Sequence, residues 1–533
     1  MGWVGFPQPA RPARISAAID DAARRRLTID PPVRVSARRE ARMITKRVAE
    51  VNARRHLLRY HRSPDPMRRG RRDRLVAVGL SAVLAGLTAA CGSAPDTPVP
   101  AASAIASSPS PPPGPPNIIL ILADDLGYGD LGSYGAPLIR TPNLDRLAAE
   151  GVRMTDFRVP SALCTPSRGA LLTGLYPPRT GLVGNLPSGS PTEGISDGID
   201  DDEITVAQAL EDRGYGTAMV GKWHLGSTLA HLPTFHGFAS YFGISNGDQT
   251  FLLLRGTTPV KDPPGLDQIT KAYTREAVTI IRDADHDRPF FLYLAHRSPH
   301  VPLEPSPEFL GRSAGGLYGD VVEELDWSVG EVMKAVRDRG SSERSTLVLF
   351  MSDNGPWLSQ GEGAGSPGPF RSGKNSPYEG GVRVPAIAWW PGRYPAGRTL
   401  GEPVMSLDVF PTLVAMAGGR LSPTLTYYGA DLTPLLSGQV SRLPGAGTDG
   451  SRELLGYYFG DAVSLRSGRW KFLRPGYWDL VDTLYDLEAD PAERTDLYPT
   501  RADVAVPLSA RLAVLADEIA FNGKKPKKGG GPD

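Results

Sequence analysis

Between residues 117 and 352 short apolar runs alternate with amphipathic stretches. The run NIILILA (117–123) is apolar at nearly every position, which predicts a strand buried on both faces, as in a parallel sheet. Thr141–Glu150 reads as a helix stopped by Gly151, and Ile204–Arg213 as another ended by Gly214. Tyr215–Val220, Pro289–Ala295 and Thr346–Met351 read as further strands. Asp320–Arg339 carries Val321, Leu325, Val329, Val332 and Val336 at helical spacing, with Gly340 closing it. This alternation predicts an α/β domain built on a mostly parallel sheet.

Each predicted strand ends in polar chemistry. Asp124 and Asp125 follow the first, Lys222 and His224 the second, His296 and His300 the third, and Ser352-Asp353-Asn354-Gly355 the fourth. In open α/β sheets ligands bind beyond the carboxyl ends of the strands. Any one of these residues alone fits a turn, a helix cap or a solvated loop. Their agreement predicts an active site at that edge.

The chain changes character after about residue 445. Leu454–Phe459, Ala462–Arg466 and Trp470–Arg474 read as short strands, with a hairpin turn at Ser467-Gly468. Pro507–Phe521 reads as a closing helix with its proline in the first turn. The expected organisation is a catalytic domain at 117–445, a small α+β subdomain with an antiparallel sheet at 446–522, and a flexible tail at 523–533.

Charge alters the view of the other end. The formal net charge of +1 over 533 residues averages a leader, 1–74, near +13 and a remainder near −12. The acidic body argues against nucleic acid as a partner. Residues 75–90, LVAVGLSAVLAGLTAA, form a sixteen-residue uncharged run behind a cluster of arginines, shorter than a membrane span and typical of a secretory signal. The following Ala89-Ala90-Cys91-Gly92-Ser93 resembles a bacterial lipobox, with Thr88 where that pattern usually has Leu, and Arg71-Arg72 resembles a twin-arginine signal. The expectation is an exported protein at the cell surface or in the periplasm, lipid-anchored through Cys91. Residues 1–66 are then a basic leader ahead of a translation start at Met67, 67–91 the signal, and the Pro/Ser/Ala-rich 92–116 a stiff tether. With only two cysteines, Cys91 and Cys164, no disulfide framework exists.

Cys164 opens the segment Cys-Thr-Pro-Ser-Arg-Gly, followed by the apolar Ala170-Leu171-Leu172. A proline suits a first helical turn, so Cys164 is expected at a helix N-terminus with Arg168 on the same face. A buried structural cysteine and a plain catalytic thiol are the competing readings. Cys-Thr-Pro-Ser-Arg matches the signature of the type I sulfatases. The resemblance extends over about residues 117–500: PNIILILADDLGYGDLGSYG, TGLYPPRTGL, GYGTAMVGKWHLG, FMSDNGP, GKNSPYEGGVRVP, SGRWKF and LYDLEADPAERTDL each resemble a family segment, nearest to the arylsulfatase branch.

The resemblance implies an alkaline-phosphatase-like fold and hydrolysis of sulfate monoesters. It implies that a maturation enzyme oxidises Cys164 to formylglycine, whose hydrate attacks sulfur and holds the sulfate covalently until its second hydroxyl expels it. It implies a metal site of Asp124, Asp125, Asp353 and Asn354 that also meets residue 164. Its hard oxygen donors favour calcium, or magnesium, over zinc. It further implies that Arg168 stabilises the hydrate, that Lys222 binds hydrate and sulfate, and that His224 is the base for elimination. His300, preferred to His296 for its Ser-Pro-His-Val-Pro setting, and Lys374 bind sulfate and assist the leaving oxygen. Two other readings stay open: a phosphonate or phosphate monoester hydrolase of the same superfamily, and a lipoprotein that binds sulfated glycans without cleaving them.

Overall fold

The computed structural model describes residues 114–187, 198–245, 252–340, 345–422, 426–521 and 523–524. The leader, the signal, Cys91, most of the tether and the tail beyond Lys524 lie outside these residues. No helix among the described residues is long and apolar enough to cross a membrane.

One large sheet organises the body. Its strands are β1 (Asn117–Ala123), β2 (Val152–Arg158), β3 (Gly216–Lys222), β4 (Ser240–Ile244), β5 (Leu253–Arg255), β6 (Thr258–Pro259), β7 (Phe290–Ala295), β8 (Thr346–Ser352), β9 (Arg383–Trp389), β10 (Arg398–Leu400) and β11 (Val404–Met405). Their order is β10-β2-β9-β8-β1-β7-β3-β4-β5-β6, with β11 on β2. The central β8-β1-β7-β3-β4 is parallel throughout. Antiparallel pairs flank it at β9 and β5, so the sheet is mixed but mostly parallel.

The apolar run of β1 explains its central place. Ile118, Leu120 and Leu122 enter the core on one face of the sheet, while Ile119, Ile121 and Ala123 enter the core on the other. A strand covered on both sides has no polar face to alternate. The helix Gly316–Asp338 covers one of these faces with Val322, Leu325, Val329, Val332 and Val336.

A second sheet follows, antiparallel in the order β12 (Glu453–Tyr458), β13 (Asp461–Ser467), β14 (Trp470–Leu473) and β15 (Thr483–Asp486). Leu512 and Ile519 of the helix Ala502–Phe521 pack on its Leu454, Leu465, Phe472 and Leu484.

Three details differ from the sequence reading. The closing helix starts at Ala502, so Pro507 lies inside it and not in its first turn. Ser467 pairs with Trp470, which makes Gly468-Arg469 the two-residue turn, with Gly468 at φ 56°. The tail begins pinned: Lys524 Nζ lies 2.7 Å from Glu203 and 3.1 Å from Asp200, because three acids at 200–203 face it.

Candidate active site

The register of the parallel strands builds the site. Ala123 on β1 is paired with Ser352 on β8, and Leu122 with Ala295 on β7, which in turn pairs with Gly221 on β3. The next residues, Asp124, Asp353, His296 and Lys222, therefore emerge side by side at one edge. Gly221 permits this closeness: at φ 113°, an added Cβ would stand 1.8 Å from the Ala295 carbonyl oxygen. Cys164 arrives from a different direction as the first residue of the helix Cys164–Thr173.

The cluster is dry and charged. Cys164, Asp124, Arg168 and Lys222 are wholly buried. Cys164 Sγ lies 3.6 Å from Asp124 Oδ1 and 3.9 Å from Asp125 Oδ1. Lys222 Nζ donates to Asp124 Oδ2 at 2.7 Å. Arg168 Nη2 stands 3.2 Å from Asp124 Oδ1 and 2.8 Å from Asp353 Oδ2, and its Nη1 donates to the Lys222 carbonyl at 2.9 Å. Lys374 Nζ donates to Asp125 Oδ2 at 3.0 Å, and Asn354 Nδ2 to Asp125 Oδ1 at 2.7 Å. Three carboxylates thus face three fixed cations.

Electrostatics follow from that balance. Burial alone would raise the Asp124 carboxyl, but Lys222 and Arg168 beside it hold it well below the usual range. Asp353 is pushed up to about 7 by burial, with Asp124 and Asp125 adding to the rise against Arg168. Burial pushes the Cys164 thiol well up, with Lys374 opposing.

The two histidines of the predicted set are oriented by carbonyls. His300 Nδ1 lies 2.7 Å from the Val301 carbonyl oxygen. A carbonyl only accepts, so Nδ1 carries the proton and Nε2 faces Lys374 Nζ at 3.3 Å and Asp125 Oδ2 at 3.5 Å. His224 Nε2 approaches the Leu186 carbonyl at 3.3 Å, which by the same logic makes Nδ1 its basic nitrogen. His224 sits at φ 59°, and its own carbonyl accepts from Thr165 Oγ1 next to Cys164. His296 is different: its Nε2 meets Ser328 Oγ at 3.3 Å and its ring packs near Tyr273. Burial pulls its pKa down to about 3, as for a core imidazole.

The cluster also suits a cation. One donor atom from each of Asp124, Asp125, Cys164 and Asp353 lies within 4.8 Å of the others. Asn354 Oδ1 is buried with no hydrogen-bond partner among the described residues, an acceptor oxygen left for a ligand. Carboxylate and amide oxygens make a hard donor set.

A model of the family described as "Sulfatase" matches residues 116–419. The chain belongs to the sulfatase family. Human arylsulfatase A is 45% identical over 442 residues, covering 72% of this chain and 83% of its own. The N-acetylgalactosamine-6-sulfatase of Canis lupus familiaris is 39% identical over 382 residues, 67% of this chain and 71% of its own. Among solved structures, Ps i-CgsB in complex with k-i-k-neocarrahexaose superposes with a TM-score of 0.68 at 31% identity, covering 77% of this chain and 94% of that one. As a member of this family the protein is a sulfuric ester hydrolase.

Several residues that shape this sulfatase site escaped the sequence reading. Ser167 Oγ donates to the Asp353 carbonyl, and Asn185 Oδ1 accepts from the Thr165 amide at 3.1 Å, fixing the start of the Cys164 helix. Ser167 lies inside the Cys-Thr-Pro-Ser-Arg signature, which was its signal; Asn185 had none. Trp357 stands over the site, its ring 4.3 Å from Lys374 Nζ and 5.4 Å from the His300 ring.

Proposed function

We propose that the protein is an exported arylsulfatase-type enzyme in which Cys164 is oxidised to formylglycine and calcium is held by Asp124, Asp125, Asp353 and Asn354. The placement of Cys164 carries the reading. A thiol with no solvent exposure lies among acids, lysines and an arginine, where it fills no apolar core. Total burial also supports oxidation before folding, since no maturation enzyme reaches Sγ in the folded chain.

The charge balance supports a dication. Three carboxylates and three cations leave the cluster neutral, so a bound dication would give it a net positive charge toward an anionic sulfate ester. Bound there, the ion would supply Lewis acidity at residue 164, where the proposed aldehyde hydrate would supply the attacking hydroxyl. The chain's own residues do the rest. Lys222 brings its ammonium to Asp124 and Lys374 its own to Asp125, positioned to hold sulfate oxygens. Arg168, gripped by Asp124 and Asp353, keeps the acids in place beneath residue 164. His300 Nε2, which carries no proton, accepts from Lys374 Nζ and so orients that ammonium, the donor toward the departing oxygen. His224, fixed through Nε2, keeps Nδ1 as the base for sulfate release.

The test is sulfate release from an aryl sulfate, with mass spectrometry of the peptide containing residue 164. Active protein should carry formylglycine there, and active protein with unmodified cysteine would overturn the mechanism. An aryl phosphonate preferred over the sulfate by kcat/KM would favour the phosphonate hydrolase reading instead. Export and lipid anchoring are supported by the arginine-flanked run 75–90 and the lipobox-like segment ending at Cys91. Cell fractionation of wild type and Cys91→Ser tests them: release of the variant from the membrane is expected, and equal distribution of both would remove the anchor.

A further inference from the structure

A cavity of about 580 Å³ adjoins the catalytic cluster, with Lys374 in its wall. That volume is in the range of small-molecule sites. On the catalytic side its wall is Trp357, in contact with both Lys374 and His300. On the other side stand Tyr458, at the end of β12, and Tyr477 and Trp478, from the connection between β14 and β15. The three rings support one another: centroids lie 5.2 Å apart for Tyr458–Tyr477, 5.2 Å for Tyr458–Trp478 and 5.0 Å for Tyr477–Trp478.

The charged groups of this wall are already committed. Arg371 stacks 3.8 Å over the Tyr378 ring and donates to Tyr485 Oη at 3.2 Å and the Glu493 carbonyl at 3.0 Å. Lys374 is held by Asp125. No carboxylate lines the cavity among the described residues. The same β14–β15 connection exposes Tyr477 at 63%, Leu480 at 84% and Val481 at 58%, interleaved with Asp479 and Asp482.

We infer that this aromatic cleft is the leaving-group site, and that Tyr477 and Trp478 select sulfate esters of flat, apolar ring alcohols. The inference rests on the sulfatase reading and deepens it. The Lys374 side chain is buried with its ammonium against the Trp357 ring, so an ester whose sulfate reaches that ammonium extends its alcohol past Trp357 into the adjoining cavity. Flat rings gain most from aromatic walls of this kind. The charged side chains of the wall are spent on the protein itself, while Ser359, Ser372, Asn375 and Ser376 also line the cavity, which makes a sugar ester the competing substrate that the test must include.

The test compares wild type with the Tyr477→Ala/Trp478→Ala variant of the purified active enzyme, using 4-methylumbelliferyl sulfate and galactose 6-sulfate. The ratio of kcat/KM for the aryl over the sugar ester should fall about tenfold in the variant. An unchanged or increased ratio would overturn the inference. If wild type releases sulfate from neither ester, the sulfatase reading is what fails. The cleft is then decided by fluorescence titration with 4-methylumbelliferone: binding about tenfold weaker in the variant supports it, and equal binding rejects it.

Discussion

Lys222 Nζ donates to Asp124 Oδ2 at 2.7 Å, and neither side chain reaches solvent. The pair joins the ends of β3 and β1 across the end of β7, which lies between them. Removing one partner of a buried pair leaves the other charge uncompensated, at about 3–5 kcal/mol. Lys222→Ala should therefore lower stability by about that amount in denaturant unfolding. It should also reduce sulfate release by about 10²–10³-fold, the scale for losing one charged stabiliser of a transition state. A variant with wild-type kcat/KM would remove Lys222 from the chemistry.

Cys164→Ala separates chemistry from folding. Cys164 meets Asp124 and Asp125 only through long sulfur contacts of 3.6 and 3.9 Å. Its removal deletes little packing, so the unfolding midpoint should shift by less than about 1–2 kcal/mol equivalent. Sulfate release should vanish. Residual turnover in the variant, measured with an aryl sulfate, would show that another residue is the nucleophile.

The parts legible in the sequence share a physical cause. Strands β1, β7 and β8 are buried on both faces, so their apolar runs stand out, and in a parallel sheet their last residues fall at one edge. Asp124 and Asp353 could be placed by that rule, as could Lys222 at the end of β3; the rule also points to His296, and only the resemblance carried by its Ser-Pro-His-Val-Pro setting favours His300. Strand β2, VRMTDFR, defeats it, because Asp156 and Arg158 are buried charges in a strand. They are tolerated only through partners distant in sequence. Arg158 pairs with Asp156 at 2.8 Å and with Glu379, and Asp156 with Arg466 at 2.7 Å. Long-range compensation of that kind has no periodic signature. The aromatic cleft is hidden for the same reason, since Trp357 and Trp478 line one cavity only once the second sheet has docked.

Cation binding should be visible in stability. The acids Asp124, Asp125 and Asp353 already share three cationic side chains, so the chain is expected to fold without metal. A ligand bound only by the folded state adds about 2.7 kcal/mol at a hundredfold excess over Kd. Treatment with a chelator should lower the thermal midpoint, and calcium should restore it. Asn354→Ala, which removes the buried acceptor Oδ1, should blunt that restoration. Metal analysis finding stoichiometric zinc and no calcium in active protein would contradict the calcium assignment.

Asp326 provides a pH prediction remote from the cation cluster. From the helix Gly316–Asp338 it accepts from the Asn143 amide at 3.2 Å, Asn143 Nδ2 at 2.9 Å and the Leu144 amide at 2.8 Å, capping the helix Pro142–Glu150 from outside. Burial pushes its carboxyl from 3.8 to about 6, with the nearby Asp145 charge adding and the three donors opposing. The folded chain therefore holds this proton more tightly than the unfolded chain. The associated stability is complete below about pH 4 and is lost as pH rises through about 6, roughly 3 kcal/mol over the window. Asp326→Asn cannot titrate, so its stability relative to wild type should improve from pH 4 to 7. Parallel urea-unfolding curves for the two proteins across that range would refute the assignment.

Lys471 ties the second sheet to the segment that follows Lys374. From β14, Lys471 Nζ donates to the Pro377 carbonyl at 2.7 Å and pairs with Glu379 and Glu493 at 2.8 Å each. Glu493 Oε2 in turn accepts from the Glu379 amide at 2.6 Å. These bonds anchor residues 377–379, immediately after Lys374. Burial would raise Glu379, but Arg158 and Lys471 hold it well down, while burial and the Glu379 charge push Glu493 up to about 7. Lys471→Met removes the cation between them and leaves the Pro377 carbonyl unbonded. It should lower stability by about 3–5 kcal/mol. Lys471→Arg keeps the charge and should recover most of that loss. If Lys471 positions Lys374, kcat should fall in Lys471→Met at temperatures where the variant remains fully folded, and return with Lys471→Arg. A loss of stability with kcat unchanged would make Lys471 a purely structural link between the two sheets.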